Sequence, residues 1–394
     1  MRTANIRVAI FVHPFDEVRL CGLKRKPNMS TPPIIHFDCR HFRGHIPCKP
    51  NKANGYECGD CPVYEVPAKR ILIIKLGALG DVIRTSPLLV RYRDLWPNAH
   101  ITWITQSPDV VPRKFVDEVL AYDLVGLERA RNGVYDIAIN LDKETEACAL
   151  LRDVKSTRKL GFILKDGHID AATPAAVHKL VTGLFDGRSK ANTKHYLEEI
   201  FEVCELDFKG EEYQLEIDPA FAEKWELLRE KASGKRIVAL NTGCGDRWTT
   251  RLWPEERWTE LIKGLQAEGS FPVVVGGKQE DELNKRYSAA TGCYYPGYYS
   301  LREFFALVSN TDIVVTQVSM MMHIAIALKK RLVLFNNIFN AHEFHLYGRG
   351  VIVQPTSGCD CYYGNTCSRN RSCMLDIEVA TVMETVRAQR NVLP

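Results

Sequence analysis

The sequence predicts an α/β protein with two Rossmann-like lobes that face a cleft, and with a small cysteine-rich, metal-binding extension. Short apolar runs with the composition of buried parallel strands alternate with helical segments, which predicts the α/β class. This alternation restarts after a polar, acidic stretch at 207–218, which predicts the second lobe. We therefore expect residues 1–69 to form the extension, 70–217 the first lobe and 218–394 the second lobe.

Apolar runs and helical patterns give the elements of the first lobe in chain order. Its predicted strands are Ile71–Leu76, His100–Gln106, Tyr135–Asp142 and Arg158–Leu164. Helices are expected between these strands because parallel neighbours need crossover connections. A helix at His195–Leu206 closes the set.

The second lobe opens with a predicted helix at Pro219–Lys231 and repeats the same alternation. Its predicted strands are Arg236–Gly243, Phe271–Gly277, Asp312–Gln317 and Arg331–Asn337. The segment Ile377–Gln389 is predicted to be a terminal helix.

Composition and charge exclude several classes of function. The 394 residues are 45% hydrophobic and 25% charged, which is ordinary for a globular protein with two domains. The net charge of +4 is too small to indicate nucleic-acid binding. No segment approaches about 18 uninterrupted apolar residues, and the run Val8–Val12 is too short for a signal peptide. We expect a cytoplasmic protein whose translation starts at Met1 or at Met29.

Asp81 follows the first strand and a glycine turn at Gly77–Gly80, and it opens a predicted helix that runs to Leu95. Ligands bind at the carboxyl ends of strands in open α/β sheets. A carboxylate at this position can act as a general base. Asp is also a favoured N-cap residue, so a purely structural role for Asp81 stays open.

The first strand of the second lobe ends in a comparable turn. Thr242–Gly245 leads towards a helix N-terminus, where backbone N–H groups bind anions, and Arg247 and Arg251 add positive charge. An ordinary strand–turn–helix connection with surface arginines is the alternative interpretation.

The stretch KLGALGDVIRTSPLL, residues 75–89, resembles the N-terminal signature of glycosyltransferase family 9, the ADP-heptose:lipopolysaccharide heptosyltransferases. The resemblance extends from about Arg70 to about Val386. It implies the GT-B architecture of two Rossmann-like lobes, with Asp81 as the catalytic base. Arg84 and Thr85, within about one helical turn of Asp81, are then candidates to bind the acceptor.

The resemblance also assigns residues to the nucleotide-sugar donor. Arg251 fills the position of a basic residue that precedes Trp-Pro and contacts the donor diphosphate, and the family often has Lys there. An acidic residue that holds the ribose matches Glu280. The other expected donor contacts are Thr242, Gly243, Arg247, Gln317, Ser319, His323 and Asn337.

One segment departs from the family. The family usually reads Asp-Thr-Gly-x-x-His, whereas this chain has Val318-Ser319-Met320 before His323. The family's Asp contacts the transferred sugar and valine cannot, so Gln317 or Ser319 would supply the hydrogen bonds. His323 is alternatively a satisfied core histidine, and Asn337 belongs to what is alternatively a plain Asn-rich turn.

Two cysteine sets suggest metal rather than disulfides in a chain without a secretion signal. The first set has the spacing C-x8-C-x9-C-x2-C and comprises Cys39, Cys48, Cys58 and Cys61. The second has the spacing C-x-C-x5-C-x5-C and comprises Cys359, Cys361, Cys367 and Cys373. Structural zinc is expected, with iron or an iron–sulfur cluster as the alternative metal site. Reduced buried thiols, or disulfides if the protein is exported, are the alternatives without metal.

The expected activity is inverting sugar transfer without a catalytic metal. By resemblance the donor is ADP-heptose and the acceptor is a lipopolysaccharide core or another surface glycan. Two alternatives remain: the same fold with a different nucleotide sugar, and a non-catalytic, metal-bound module that binds nucleotide or glycan. A peripheral contact with the cytoplasmic face of the inner membrane also stays open, because the acceptor is a glycan or glycolipid.

Overall fold

A computed structural model describes residues 32–367 and 369–390. Residues 32–66 and the residues from Pro67 onwards form two separate compact units. The alternative start sites Met1 and Met29, and the short apolar run after Met1, lie outside the described residues.

The smaller unit contains one short helix, α1 (Lys49–Asn54), and little other regular structure. Polar and ring contacts connect its chain ends. The Arg40 guanidinium pairs with the Glu65 carboxylate at 3.0 Å, and the ring of His36 stacks on that of Tyr64 at 4.0 Å. A unit of this size buries too little apolar surface to be stable through its core alone.

The first sheet of the larger unit has six strands in the order β3-β2-β1-β4-β5-β6. The first five strands are parallel and β6 pairs antiparallel with β5. The strands are β1 (Arg70–Ile74), β2 (His100–Thr105), β3 (Glu118–Ala121), β4 (Val134–Asn140), β5 (Lys155–Lys165) and β6 (His168–Ala171). Four of the five β1 residues are fully buried, as the apolar run predicts for a central strand.

Helices cover this sheet, and two of them begin with a capping side chain. The Asp123 carboxylate caps α4, and His195 with Glu198 forms a reciprocal capping box at the start of α8. The helices are α2 (Leu79–Thr85), α3 (Pro87–Leu95), α4 (Leu124–Asn132), α5 (Thr145–Asp153), α6 (Val177–Leu184), α7 (Asp186–Ala191) and α8 (Tyr196–Val203).

The prediction of one continuous helix from Asp81 to Leu95 is wrong. The structure divides this segment into α2 and α3 at Ser86 and Pro87. Proline has no N–H group to continue the helical ladder, but it suits the first position of a new helix.

The second sheet has five parallel strands in the order β11-β10-β9-β7-β8. They are β7 (Ile237–Asn241), β8 (Phe271–Val275), β9 (Ile313–Gln317), β10 (Arg331–Phe335) and β11 (Gly350–Val353). The helices are α9 (Pro219–Ala232), α10 (Glu255–Ala267), α11 (Asp281–Thr291), α12 (Leu301–Ser309), α13 (Met320–Ala327) and α14 (Val379–Arg390). The two sheets confirm the predicted pair of Rossmann-like lobes.

Aromatic packing builds part of the core of the second lobe. The fully buried Trp258 ring lies 5.1 Å from the ring of Trp253 and 5.6 Å from that of Phe335. Trp253 also donates its indole N–H to the Ile377 carbonyl at 3.0 Å, just before α14. The terminal helix is therefore part of the core of the lobe.

We expect Trp258→Ala to destabilise the second lobe by about 3–5 kcal/mol, because it removes a buried ring and leaves a cavity. Urea unfolding followed by circular dichroism measures the change. Leu227→Ala on α9 is the control: Leu227 is 47% exposed, so its loss changes stability by less than about 0.5 kcal/mol. Equal effects of the two substitutions would contradict the packing described.

Candidate functional site

A cavity of about 530 Å³, the central cavity, is lined by residues of both lobes. Asp81, Lys143 and Tyr196 come from the first lobe, and Trp248 and Glu343 come from the second. Asp81 lies in the first turn of α2, directly after the carboxyl end of β1. The cavity therefore lies at the sheet edge where open α/β folds bind ligands.

Asp81 lies between two cations. One carboxylate oxygen, Oδ1, is 2.9 Å from Arg84 Nε, and the other, Oδ2, is 3.9 Å from Lys75 Nζ. The side chain of Asp81 is one-third exposed, so a ligand in the cavity can reach it. Burial alone would raise the pKa of the Asp81 carboxyl, but Arg84 and Lys75 outweigh burial and lower it. Asp81 is therefore an ionised carboxylate at neutral pH.

Arg84 connects the two lobes. Its Nη1 donates a 2.7 Å hydrogen bond to Glu343 Oε1 in the second lobe, and its guanidinium lies 3.5 Å from the centre of the Tyr196 ring. The other Glu343 oxygen accepts a 2.8 Å hydrogen bond from the Tyr363 hydroxyl. Burial would raise the pKa of Glu343, yet the charges of Arg84 and Lys179 lower it, so Arg84 lies between two ionised carboxylates.

Asn340 also connects the lobes. Its side-chain amide donates to the carbonyls of Ser189 at 2.8 Å and Asn192 at 2.7 Å. Asn340 and Glu343 belong to the loop after β10, at the carboxyl end of the second sheet. The loop thus carries both the lobe contact and part of the cavity wall.

A buried ion pair supports the glycine turn before Asp81. Lys75 Nζ donates to the Asp142 carboxylate and to the Gly77 carbonyl, and Asp142 also accepts the Leu76 N–H. Both side chains of the pair are only 4% exposed. Lys75 and Asp142 therefore join the ends of β1 and β4 and fix the turn that positions Asp81.

His323 lies behind Asp81 rather than in the cavity. It is 7% exposed, and a Cβ placed on Gly80 would come within 2.6 Å of its imidazole Cδ2. Gly80 therefore has to lack a side chain for α2 and α13 to pack this closely. Burial and the Arg84 charge lower the pKa of His323 to about 3, so it stays neutral.

A second cavity of about 340 Å³, the second-lobe cavity, lies at the carboxyl ends of β7, β8 and β9. Glu280 and Ser319 contribute polar groups, and Tyr299, Phe304 and Met321 contribute an apolar face. Ser319 Oγ caps α13 by accepting the Met321 N–H and bonds Asn241 Oδ1 at 3.1 Å. Polar groups with an adjacent aromatic face are typical of nucleotide and cofactor sites.

Two glycines let the Glu280 carboxylate approach the backbone. Its Oε2 accepts the Gly277 N–H at 2.8 Å, and a Cβ on Gly243 would lie 2.0 Å from Oε1. Any side chain at Gly243 would therefore displace Glu280. Both residues line the second-lobe cavity.

Arg251 and Arg247 differ in their environment. The Arg251 guanidinium is buried and donates to three backbone carbonyls, those of Cys244, Trp248 and Val318. It lines neither of the two cavities. Arg247 lines the central cavity and lies over the Trp248 ring, 4.3 Å from its centre. Arg251 therefore holds the loop after β7, and Arg247 is the cation that a ligand can reach.

Four other predicted site residues lie beside the cavities rather than in their walls. Thr85 is buried and donates to the Asp81 carbonyl at 2.8 Å, and Thr242 donates to Asn284 Oδ1 at 3.1 Å. Gln317 donates to the Thr242 carbonyl at 3.3 Å, and Asn337 donates to the Thr250 carbonyl at 2.9 Å. Each holds a neighbouring loop or turn in place.

Several lining residues of the central cavity were missed by sequence reasoning: Lys75, Asp142, Lys143, Lys179, Tyr196, Glu199, Trp248 and Tyr363. Lys75 and Asp142 did carry a signal, since each is a charge at the end of an apolar strand. Lys143 next to Asp142 has a pKa lowered to about 8 by burial and by the charge of Lys179. It therefore adds a readily titrated amine to the cavity.

The first cysteine set surrounds a cavity of about 370 Å³ in the small unit. Cys39, Cys48, Cys58 and Cys61 all line it, and Cys39 Sγ accepts the His41 N–H at 3.4 Å. N–H groups that donate to cysteine sulfur are a common feature of metal–thiolate sites. The donor set suits a thiolate-bound metal in its chemistry.

In the second set, Cys359, Cys361 and Cys373 lie near each other. Cys359 Sγ accepts the Cys361 N–H at 3.4 Å, and burial followed by the neighbouring thiols raises the pKa of Cys359 to about 12. Cys367 is exposed. Over residues 32–367 and 369–390, however, no three His, Cys, Asp or Glu side chains come close enough together to hold a metal ion.

We expect Lys75→Met to destabilise the protein by about 3–5 kcal/mol, because it leaves the Asp142 charge buried without its partner. Chemical denaturation measures the change. Lys75→Met combined with Asp142→Leu should recover part of the loss. Lys69→Met, which breaks the more exposed pair with Asp136, should cost less than about 1 kcal/mol. A Lys75→Met protein as stable as the Lys69→Met protein would contradict the role assigned to this pair.

Comparison with known structures supports the fold. The structure of a glycosyltransferase family 9 protein from Veillonella parvula superposes on this one with a TM-score of 0.62 and 20% identity. The match covers 82% of this chain and 97% of the Veillonella chain. The ADP-heptose lipopolysaccharide heptosyltransferase II of E. coli covers 81% and 98%, at 17% identity and a TM-score of 0.60. The iron-containing dodecameric heptosyltransferase TibC, in complex with ADP-D-beta-D-heptose, covers 82% and 76%, at 12% identity and a TM-score of 0.52.

Sequence comparison gives the family. Lipopolysaccharide heptosyltransferase 1 of Escherichia coli K12 is 24% identical over 235 residues, which are 55% of this chain and 71% of that protein. The pattern of glycosyltransferase family 9 (heptosyltransferase) matches residues 127–346, more than half of the chain. The protein therefore belongs to glycosyltransferase family 9 and is a glycosyltransferase.

Proposed function

We propose that this protein is an inverting heptosyltransferase that uses ADP-heptose and a lipopolysaccharide-core or other surface-glycan acceptor. One observation carries the proposal: an ionised carboxylate, Asp81, lies between two cations in a cavity that both lobes line. Family membership supplies the reaction class, and the names of related proteins suggest the donor and pathway. A non-catalytic binding module is set aside, because the chain is a glycosyltransferase.

In the proposed reaction, a carboxylate oxygen of Asp81 accepts the proton of an acceptor hydroxyl. The acceptor oxygen attacks the anomeric carbon from the face opposite the leaving group. The bond between that carbon and the diphosphate oxygen breaks, and its electron pair leaves with ADP. Attack from the opposite face inverts the configuration of the anomeric carbon.

The second-lobe cavity suits the ADP portion of the donor. Its aromatic and methionine face fits an adenine ring, and the Glu280 carboxylate can accept hydrogen bonds from ribose hydroxyls. Arg247 carries the positive charge that can neutralise the leaving diphosphate. Arg251 is assigned a positioning role, because its N–H groups already donate to backbone carbonyls.

One observation favours a donor other than ADP-heptose, that is, a different nucleotide sugar. The position where the family's Asp contacts the sugar holds Val318, which is 8% exposed and offers no hydrogen bond from its side chain. The neighbouring wall of the second-lobe cavity consists of Ser319, Met320 and Met321. Competition among ADP-heptose and other nucleotide sugars in the transfer assay separates these donors.

A bound metal is proposed as a structural element only. The cysteine sets at Cys39–Cys61 and Cys359–Cys373 are the candidate ligands, with zinc first and iron second. When bound, such an ion cross-links loops that bury little apolar surface. The iron-containing relative TibC makes iron a specific alternative.

We expect Asp81→Asn to lower heptose transfer by about 10²–10⁴-fold while ADP affinity stays unchanged, because the amide cannot accept the proton. Transfer from ADP-heptose to a lipopolysaccharide core acceptor measures the rate, and calorimetry measures ADP binding. Asp166→Asn in an exposed turn is the control and should be fully active. Full activity of Asp81→Asn would refute the mechanism.

The acidic side of the pH–rate profile should depend on Arg84. A lowered Asp81 pKa keeps the base ionised at neutral pH, so activity falls only as the pH drops below the usual range of carboxyl groups. Arg84→Gln removes the charge that lowers this pKa, so the acidic limb should move to higher pH. Arg84→Lys keeps the charge and should leave the limb in place. An identical limb in both variants would contradict the assignment.

We expect Arg247→Ala to weaken ADP binding by about tenfold without changing the melting temperature, because a charge-assisted phosphate contact is lost. Arg251→Ala should lower both the ADP affinity and the melting temperature, because it removes three hydrogen bonds that hold the loop after β7. Arg286→Ala, an exposed arginine on α11, is the control. If Arg251→Ala weakened ADP binding and kept full stability, the two roles would have to be exchanged.

Elemental analysis of the purified full-length protein tests the metal. We expect about one zinc or iron ion for each occupied cysteine set. Cys58→Ser with Cys61→Ser, and Cys359→Ser with Cys373→Ser, should each remove the ion of their own set. Cys293→Ser, a buried cysteine outside both sets, should not change the metal content. Wild-type protein that contains no metal and is nevertheless folded and stable would contradict the proposal.

A further inference from the structure

A third cavity in the larger unit, of about 410 Å³, is dominated by positive charge. Seven of its eleven lining residues are lysine or arginine and one is acidic. We call it the basic cavity; its defining residues are Arg229, Arg236, Lys329, Lys330, Arg349 and Arg390. None of these residues lines the central or the second-lobe cavity.

The basic cavity lies at the opposite edge of the second sheet from the catalytic side. Arg236, Lys330 and Arg349 immediately precede β7, β10 and β11, so they lie at the amino ends of parallel strands. The second-lobe cavity lies at the carboxyl ends of the same sheet. Strands of five residues span about 17 Å, so a ligand in the basic cavity does not reach the proposed donor.

Acidic partners compensate only part of the positive charge. Asp312 pairs with Arg229 at 2.8 Å, Glu212 pairs with Arg349 at 2.7 Å, and Glu268 lies 3.3 Å from Arg390. Asp312 is further occupied, since its Oδ2 accepts the Ile237 N–H at 2.7 Å. The six defining cations therefore exceed these three carboxylates, and a concave wall concentrates the resulting field.

Lys330 is a partly buried member of this group of cations. Its ammonium group donates to the Ser309 carbonyl. Burial first, and then the charge of Arg229, lowers its pKa to about 8, although Asp312 acts in the opposite direction. A bound anion would offset the repulsion among these cations.

Buried polar atoms without partners also indicate a missing ligand. Arg349 Nε and Arg390 Nε have no hydrogen-bond partner within the described chain, and both residues line the basic cavity. Leaving such a donor unsatisfied is unfavourable, and guanidinium N–H groups suit phosphate oxygens in particular.

We propose that the basic cavity is a second ligand site that binds a phosphate group, separate from the nucleotide-sugar site. The cavity is larger than one phosphate ion, so it has room for a group attached to the phosphate. A soluble phosphate ester and the headgroup of an anionic phospholipid share this chemistry. The inference is independent of the donor and acceptor proposed above.

Two titrations of the full-length protein at low ionic strength test the site. Calorimetry uses inorganic phosphate as the probe, and co-sedimentation uses phosphatidylcholine vesicles with and without phosphatidylglycerol. We expect Arg236→Gln with Lys329→Gln to weaken binding by about tenfold or more, because two exposed cations are lost from the cavity. Lys155→Gln with Lys263→Gln removes the same charge elsewhere and should bind within about twofold of wild type.

The results also distinguish a soluble phosphate ester from a lipid headgroup, and they test whether binding occurs at the nucleotide-sugar site instead. Binding of inorganic phosphate without binding of either kind of vesicle supports a soluble ester. Selective binding of the vesicles that contain phosphatidylglycerol supports a lipid headgroup. Arg247→Ala should retain binding, since Arg247 lies in the central cavity. The proposal is overturned if wild type binds neither probe, if the cavity variant binds as wild type does, or if Arg247→Ala abolishes binding.

Discussion

The arrangement of the site depends on the Arg84 guanidinium, which lies largely buried between carboxylates from the two lobes. A buried cation is costly unless anions and hydrogen bonds compensate it, and Asp81 and Glu343 supply that compensation from opposite sides. Tyr196 covers the guanidinium face, and Tyr363 bonds the far oxygen of Glu343. The ionised state of Asp81 is therefore linked to the position of the second lobe.

This link has a consequence for catalysis. If the lobes separate, Arg84 loses Glu343, and the electrostatic environment of Asp81 changes at the same time. The loop after β10 makes the contact, and Asn340 in that loop also bonds two carbonyls of the first lobe. In the mechanism proposed above, closure of the cleft and ionisation of Asp81 would therefore be coupled.

The sequence was sufficient for the fold because the signal of buried parallel strands is local. The runs around Ile71 and Val238 are apolar over five residues or so, and the structure places strands there. The helix break at Pro87 was missed although proline carries the signal, and β3, β6 and β11 were missed because short edge strands have weak patterns. The N-terminal signature predicts a site at Asp81, and the structure places Asp81 in the wall of the central cavity.

The site was less predictable because its contacts join residues that are far apart in the chain. Lys75 and Asp142 are 67 residues apart, and Arg84 and Glu343 are 259 residues apart. No local pattern connects such pairs. Arg251 shows that a local motif does not fix where a side chain points. Its position shortly before Trp-Pro predicts a ligand contact, whereas in the structure its N–H groups donate to backbone carbonyls.

A double-mutant cycle between Arg84 and Glu343, measured on kcat/KM for heptose transfer, tests the link between the lobes most directly. Arg84→Met, Glu343→Gln and the double variant complete the cycle. The account predicts an interaction energy of at least about 1 kcal/mol, because the two side chains act as one unit. Additivity within about 0.3–0.5 kcal/mol would show that the base functions independently of this contact, and would contradict the account.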